Sequence, residues 1–96
     1  MTLFVRPAAA ADIEEAFAWY EAQRPGLGDE YLEAVNHALT AVRESPRLHG
    51  VVHRDVRRVK VRRFPYSVFY RILKEDIVVV GCFHASRDPH RWRRRR

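Results

Sequence analysis

Apolar residues recur along the first half of the chain at intervals of three and four, which place them on one face of a helix. This pattern predicts one helix over residues 8–23 and a second over residues 29–44. Residues 24–28, Arg-Pro-Gly-Leu-Gly, interrupt it, because proline and glycine end helices and favour turns. So short a connection predicts an antiparallel helical hairpin. The apolar positions are Ile13, Ala16, Phe17 and Tyr20 in the first helix and Leu32, Val35, Leu39 and Val42 in the second.

In the second half of the chain the interval between apolar residues changes to two, which is typical of β-strands. In residues 57–62, Val59 and Val61 alternate with basic residues, so one face of this strand is apolar and the other is charged. Residues 66–73 and 77–84 are apolar on both faces, and a charged three-residue turn separates them. These short connections predict an antiparallel meander of three strands.

The two ends of the chain complete the predicted fold. Residues 2–6 are rich in strand-forming residues and predict a short N-terminal strand. The expected fold is therefore α+β: this strand, an antiparallel two-helix hairpin and a three-stranded antiparallel meander, with the helices packed on one face of the sheet. We expect a single domain over residues 1–92, with Trp92 anchored against the sheet. Residues 93–96 are all arginine and have no apolar position to bury, which predicts a mobile tail.

The net charge of +6 is distributed unevenly along the chain. Residues 1–53 carry four arginines and eight acids, whereas residues 54–74 carry eight basic residues and one acid. This asymmetry favours an anionic partner, and nucleic acid, an acidic peptide and a membrane surface all fit it. A solvated basic strand followed by an unstructured tail is the simpler explanation. No apolar stretch approaches the roughly 18 residues of a membrane span, so we expect a cytoplasmic protein without a membrane partner.

Few residues are suited to metal or covalent chemistry. Cys82 is the single cysteine, so we expect neither an internal disulfide nor a cysteine-based zinc site. No glycine-rich phosphate loop and no serine nucleophile motif occurs in the sequence. We therefore expect no metal and no cofactor.

A set of basic and aromatic residues on the predicted meander is the remaining candidate for chemistry. Cations bind phosphates, and tyrosine or histidine rings stack on bases. Metal-free RNA cleavage also needs a base, an acid and cations that stabilise the transition state. The simpler alternative is that the tyrosines belong to the core and that the basic stripe is a solvent-exposed face. The residues expected to converge at one end of the sheet are Arg58, Lys60, Arg62, Tyr66, Tyr70, His84 and Arg87.

The ordered set of motifs resembles the RelE/ParE toxins, which are also described as plasmid-stabilisation proteins. The resemblance covers residues 3–93, in the order expected for that superfamily. Its first part is the helical segment 11–21 followed by Pro-Gly-Leu-Gly at 25–28. Its second part consists of Val-Arg-Arg at 56–58, the segment 64–71 and the spacing His84-x-x-Arg87-Asp88-Pro89-x-x-Trp92.

The resemblance implies the toxin of a type II toxin–antitoxin module, which forms a hetero-oligomer with its cognate antitoxin. RelE-like members cleave mRNA on the ribosome, and ParE-like members poison DNA gyrase. Arg58, Lys60 and Arg87 fall where RelE-like enzymes place catalytic cations, and His84 is a further candidate if the protein is a ribonuclease. Ser67, however, stands where those enzymes usually carry an arginine.

This departure favours ParE-like inhibition of gyrase over mRNA cleavage. A ribosome-dependent mRNA endonuclease is the first alternative, and a non-toxic basic nucleic-acid-binding domain is the second. Whichever target applies, the residues expected to bind the antitoxin or the target are Arg62, Tyr66, Tyr70, Arg91 and Trp92.

Overall fold

The computed structural model describes residues 1–86 and 89–96. One short strand precedes two long helices, and four further strands and a short helix follow them. The elements are β1 (Thr2–Val5), α1 (Pro7–Gln23), α2 (Leu27–Glu44), β2 (Val51–His53), β3 (Val56–Lys60), β4 (Tyr66–Leu73), β5 (Asp76–His84) and α3 (Pro89–Arg93). The predicted α+β class is confirmed, and both long helices lie within a few residues of their expected bounds. The structure adds two short elements that the pattern did not predict, β2 and α3.

All five strands form one sheet in the order β1-β5-β4-β3-β2. The expected meander of β3, β4 and β5 is antiparallel, and β2 extends it by one strand at the edge. Strand β1 pairs with β5 in parallel, with Thr2 opposite Asp76. A bulge between Phe69 and Tyr70 shifts the register of β4 against β5. β1 and β2 are therefore the two edge strands of the sheet.

The helical hairpin covers one face of the sheet and forms the main core with it. Tyr20 of α1 and Tyr31 of α2 lie with their ring centroids 5.2 Å apart. Phe64, in the loop before β4, meets the Tyr20 ring edge-on at 4.9 Å. Burial of each such apolar side chain contributes roughly 1.5–3 kcal/mol relative to exposure. Other buried members of this core are Val35, Val42, Val61, Val68, Tyr70, Ile77 and Val79.

The geometry of the hairpin is fixed by contacts at its turn. The Glu21 carboxylate of α1 accepts hydrogen bonds from the backbone N–H groups of Gly26 (3.0 Å) and Gly28 (3.0 Å), which begin α2. Gly26 has φ of 90°, a left-handed conformation that glycine adopts without strain. A Cβ atom at Gly28 would lie only 2.6 Å from Cε2 of Phe17. The two helices therefore pack closely at a point where only glycine fits.

The opposite face of the sheet, called the rear face below, carries a second apolar cluster of Val56, Phe69, Val80 and Phe83. Helix α3 covers part of it, because the Trp92 ring stacks on Phe69 at 4.9 Å and an interplanar angle of 14°. The expected anchoring of Trp92 against the sheet is confirmed.

The last two residues make side-chain contacts with the domain. Arg95 pairs with the Asp12 carboxylate of α1 at 2.9 and 3.1 Å and donates to the Val80 carbonyl at 2.9 Å. The same carboxylate accepts the backbone N–H of Cys82 at 3.1 Å. Asp12 and Arg95 thus satisfy backbone groups of β5 beyond the point where β1 ends. The mobility of residues 93–96 stays a prediction, and truncation tests it.

Candidate functional site

Two of the candidate catalytic cations lie on the rear face. Arg58 is opposite Phe69 in the register of β3 and β4, and Lys60 is opposite Ser67. Because side chains alternate along a strand, both residues point to the side of the rear cluster. Both are exposed, and neither has an ion pair within residues 1–86 and 89–96. Ser67 is 3% exposed and lies between Lys60 and Phe83 across the sheet.

His84 and Tyr66 lie on the other face, toward the helices. They are opposite each other in the register of β4 and β5, with ring centroids 5.4 Å apart. The Tyr66 ring also meets Tyr31 of α2 at 5.4 Å, which fixes the helical side. The His84 Nδ1 accepts a hydrogen bond from the backbone N–H of Ser86 at 3.2 Å. The sheet therefore separates His84 from Arg58 and Lys60, and the expected convergence of these three residues does not occur.

Arg62 and Tyr70 also lie away from the two rear-face cations. Strand β3 ends at Lys60, and the Arg62 guanidinium reaches α2, where Nη1 lies 3.3 Å from His37 Nε2. The expected single stripe of three cations is thus wrong for Arg62. Tyr70 is completely buried, and its hydroxyl donates to the Pro46 carbonyl at 2.7 Å. Burial raises the pKa of this phenol, which keeps it a hydrogen-bond donor. Its side chain has no exposed surface for a partner.

Helix α3 places the remaining candidates. The Arg91 guanidinium lies over the Phe83 ring at 5.2 Å, and Trp92 is half-buried on Phe69. Arg87, the third candidate cation, lies outside the described residues.

A cleft of about 400 Å³ opens between α1 and the end of β5. Its walls include Glu15 and Trp19 of α1, and Tyr66, His84 and Arg91 on the other side. Trp19 is 54% exposed although it is one of the largest apolar side chains in the chain. Its sequence position next to the buried Tyr20 places it outside the apolar stripe of α1, and it lines the cleft rather than the core. Sequence reasoning named Tyr66, His84 and Arg91 but missed Trp19.

Nucleophilic and metal chemistry find little support in the described residues. Cys82 is buried with its sulfur 3.4 Å from the Tyr31 hydroxyl. Burial raises the pKa of this thiol to about 11, so the thiolate is scarcely formed at neutral pH. Across residues 1–86 and 89–96 no three His, Cys, Asp or Glu side chains are grouped to hold a metal ion. In the same residues no helix combines the length and apolarity needed to cross a membrane.

Comparison with known proteins agrees with this architecture. The fold is similar to a structure titled "Chromosomal ParDE TA system from P. aeruginosa", with TM-score 0.79, 18% identity, and coverage of 90% of this chain and 97% of that one. It is also similar to the isolated E. coli RelE toxin, with TM-score 0.66, 21% identity, and coverage of 95% and 90%. No curated protein sequence matches significantly.

A sequence model of one family matches most of the chain. It is described as the ParE toxin of the type II toxin–antitoxin system parDE, and it matches residues 3–89. The matched range runs from β1 through the helical hairpin and the sheet to the first residue of α3. The chain therefore belongs to the ParE family of toxins of type II toxin–antitoxin systems.

Proposed function

We propose that this protein is a toxin that inhibits DNA gyrase and is neutralised by a cognate antitoxin. The observation that carries the choice of gyrase is the position of Ser67. This small buried residue occupies the centre of the rear face, between Lys60 and Phe83, where RelE-like ribonucleases usually carry an arginine. A cation is therefore missing from the middle of the surface on which such a ribonuclease would bind the scissile phosphate.

The separation of His84 from the rear-face cations supports the same choice. RNA cleavage requires the proton-transferring group and the stabilising cations to contact one phosphate group and its neighbouring oxygens. His84 packs against Tyr66 on the helical side, whereas Arg58 and Lys60 lie on the rear face. One phosphate cannot contact groups on both sides of a sheet. Among the described residues, His84 therefore cannot act together with Arg58 and Lys60 on one phosphate, which supports gyrase inhibition over mRNA cleavage.

Two parallel assays on the purified toxin test the choice of target. In the first, gyrase and relaxed plasmid are incubated with the toxin, and inhibited supercoiling is expected. In the second, ribosomes programmed with mRNA receive the same toxin, and intact transcripts are expected. Preincubation with the antitoxin is the control, and it should restore supercoiling. Efficient cleavage of the mRNA in register with codons, with supercoiling unaffected, would contradict the proposal.

The cleft beside α1 is our proposed binding site for the antitoxin. Trp19 offers an exposed aromatic surface on one wall, and Arg91 offers a cation on the other. An antitoxin segment with an apolar residue against Trp19 and an acid near Arg91 would fit both. Tryptophan and arginine are the residues that most often dominate protein interfaces. Arg62, by contrast, lies beside α2, outside this cleft.

Substitution of Trp19 tests this binding site. Trp19→Ala should weaken the complex with the antitoxin roughly 30-fold or more, because loss of a central tryptophan typically costs about 2 kcal/mol or more. Leu48→Ala is the matched control, since Leu48 is 78% exposed but does not line the cleft. Titration calorimetry with both variants gives the two dissociation constants. Equal affinities for Trp19→Ala and the control would place the antitoxin elsewhere.

A further inference from the structure

The rear face carries exposed cations in two rows that cross the sheet. One row runs from Lys60 to Ser67 and Phe83, which lie opposite one another on β3, β4 and β5. The Arg91 guanidinium lies at the end of this row, 5.2 Å from the centroid of the Phe83 ring, at the edge where the rear face meets the cleft beside α1. Neighbouring strands are about 4.8 Å apart, so the row spans roughly 10 Å across three strands. It begins with a cation from β3 and ends with a cation from α3.

The second row is built in the same way. Arg58 lies opposite Phe69, and Trp92 stacks on that ring at 4.9 Å. Above the indole lies the Arg93 guanidinium, 5.4 Å from its centroid. The rear face thus presents four cations on a rigid base of strands and stacked rings: Arg58, Lys60, Arg91 and Arg93.

Within residues 1–86 and 89–96, no carboxylate forms an ion pair with these four cations. Asp55, in the turn between β2 and β3, is already bound by Arg71 at 2.8 Å and by Arg96 at 2.9 Å. Two guanidinium groups share this one carboxylate, so it is not available to the four cations. The rear face is therefore strongly positive.

The apolar groups beneath the cations are already covered. Phe69 is 3% exposed and Phe83 is 6% exposed, so a protein partner would find little apolar surface to bury here. Trp92 is half-buried, with its ring stacked on Phe69 and the Arg93 guanidinium 5.4 Å from its centroid, so it offers less ring surface to an unpaired base than a free indole would. The remaining source of binding energy is charge, which suits a polyanion of regular spacing.

We propose that the rear face binds the phosphate backbone of a nucleic-acid duplex through Arg58, Lys60, Arg91 and Arg93. Binding of this kind releases counterions from the duplex, and it does not depend on base sequence. The proposal goes beyond inhibition of gyrase and does not rest on it, since it concerns the toxin and the duplex alone. Failure of one proposal therefore leaves the other intact.

Salt-dependent binding to a labelled DNA duplex of random sequence tests the proposal. Four neutralised phosphates predict a slope of log K against log salt concentration of about −3.6. The triple variant R58Q/K60Q/R93Q should reduce the magnitude of this slope by about 2.7 and weaken binding at every sequence tested. Fluorescence anisotropy at salt concentrations from about 50 to 300 mM, which include the physiological ionic strength, measures the slope and the affinity of each variant.

A control variant of equal charge separates the rear face from general attraction. R43Q/R47Q/K74Q removes three exposed cations outside the rear face and should leave the slope within about 0.5 of the unmodified chain. Equal losses in the two triple variants would overturn the proposal, and so would the absence of binding at the lowest salt concentration. A thermal melt of each variant confirms that it is folded.

Further probes identify the polyanion. A duplex of DNA or of RNA should bind more tightly than a single strand of equal length, because its phosphates are more closely and regularly spaced. Tighter binding of the single strand would overturn the assignment to a duplex. Tighter binding of poly-glutamate than of either duplex would overturn the assignment to phosphate and would indicate an acidic protein segment.

Discussion

The Glu21 carboxylate makes a specific contribution to stability that can be measured. It connects the end of α1 to the beginning of α2 through hydrogen bonds to the N–H groups of Gly26 and Gly28. These N–H groups have no carbonyl partner within the helix, because they lie at its beginning. Glu21→Ala removes the acceptor and the negative charge together. The N–H groups of Gly26 and Gly28 can then donate only to water.

The expected loss follows from the two effects. Replacement of a side chain that caps a helix N-terminus costs about 0.5–2 kcal/mol, and loss of a negative charge near that terminus adds about 0.3–1 kcal/mol. We therefore expect Glu21→Ala to lower the free energy of unfolding by about 2 kcal/mol. For a domain of this size each kcal/mol lowers Tm by about 4–8 °C, so a decrease of about 8–16 °C should be seen. Glu21→Gln keeps one acceptor oxygen and should lose about half as much.

Urea denaturation followed by circular dichroism measures these differences. Glu14→Ala is the matched control, since Glu14 is an exposed acid of the same helix, and its substitution should change stability by less than about 0.5 kcal/mol. If Glu21→Ala is no more destabilised than Glu14→Ala, the carboxylate does not hold the turn and the argument from hydrogen bonding is refuted. An unchanged m value would show that the variants unfold to the same extent.

Three further predictions concern other contacts. Gly28→Ala should lower the free energy of unfolding, measured by urea denaturation, by about 1–3 kcal/mol, because the new methyl group would collide with the Phe17 ring. This loss is expected although alanine has the better helix propensity, and adding Phe17→Leu should recover part of it. The hydrogen bond from Arg71 lowers the pKa of Asp55 to about 2, so the stabilising effect of this carboxylate is complete above its unfolded pKa near 4 and is lost as pH falls through 2. Urea midpoints of the unmodified chain and Asp55→Asn should therefore differ at pH 7 and converge toward pH 2, and a difference independent of pH would contradict this. Removal of residues 93–96 should leave Tm within about 4 °C of the unmodified chain, because four adjacent arginines bury no apolar surface, whereas a larger decrease would show that the pairs of Arg95 with Asp12 and of Arg96 with Asp55 are structural.

The sequence pattern predicted the elements that bury a long, regular apolar face. The stripes of the two helices and the alternation in the meander each extend over many residues, so local irregularities do not hide them. Strand β2 has only three residues and ends before Arg54, which adopts a left-handed φ of 53°. Helix α3 has only five residues. Neither element contains enough periodicity to be recognised, whereas β1, although only four residues long, was predicted from its strand-forming residues.

The candidate site was predicted less well because residues on adjacent strands need not share a face. Lys60 lies opposite Ser67, so Tyr66, one residue earlier, must point to the other side of the sheet. His84 is opposite Tyr66 and follows it to the helical side. Sequence alone gives the order of the strands but not their register, and a shift of one residue exchanges the two faces. Trp19 was missed for another reason: it lies outside the apolar stripe of α1, and the sequence does not show that the end of β5 and α3 form a cleft beside it.

The pairing of β1 with β5 has a consequence for the time at which the protein folds during synthesis. β1 is made first, but its partner in the sheet begins at residue 76. Contacts between such distant parts of a chain form slowly, and here they cannot form until most of the chain has left the ribosome. Translation that stops before β5 therefore yields no complete sheet. Toxicity should consequently appear only after synthesis of the chain is almost finished.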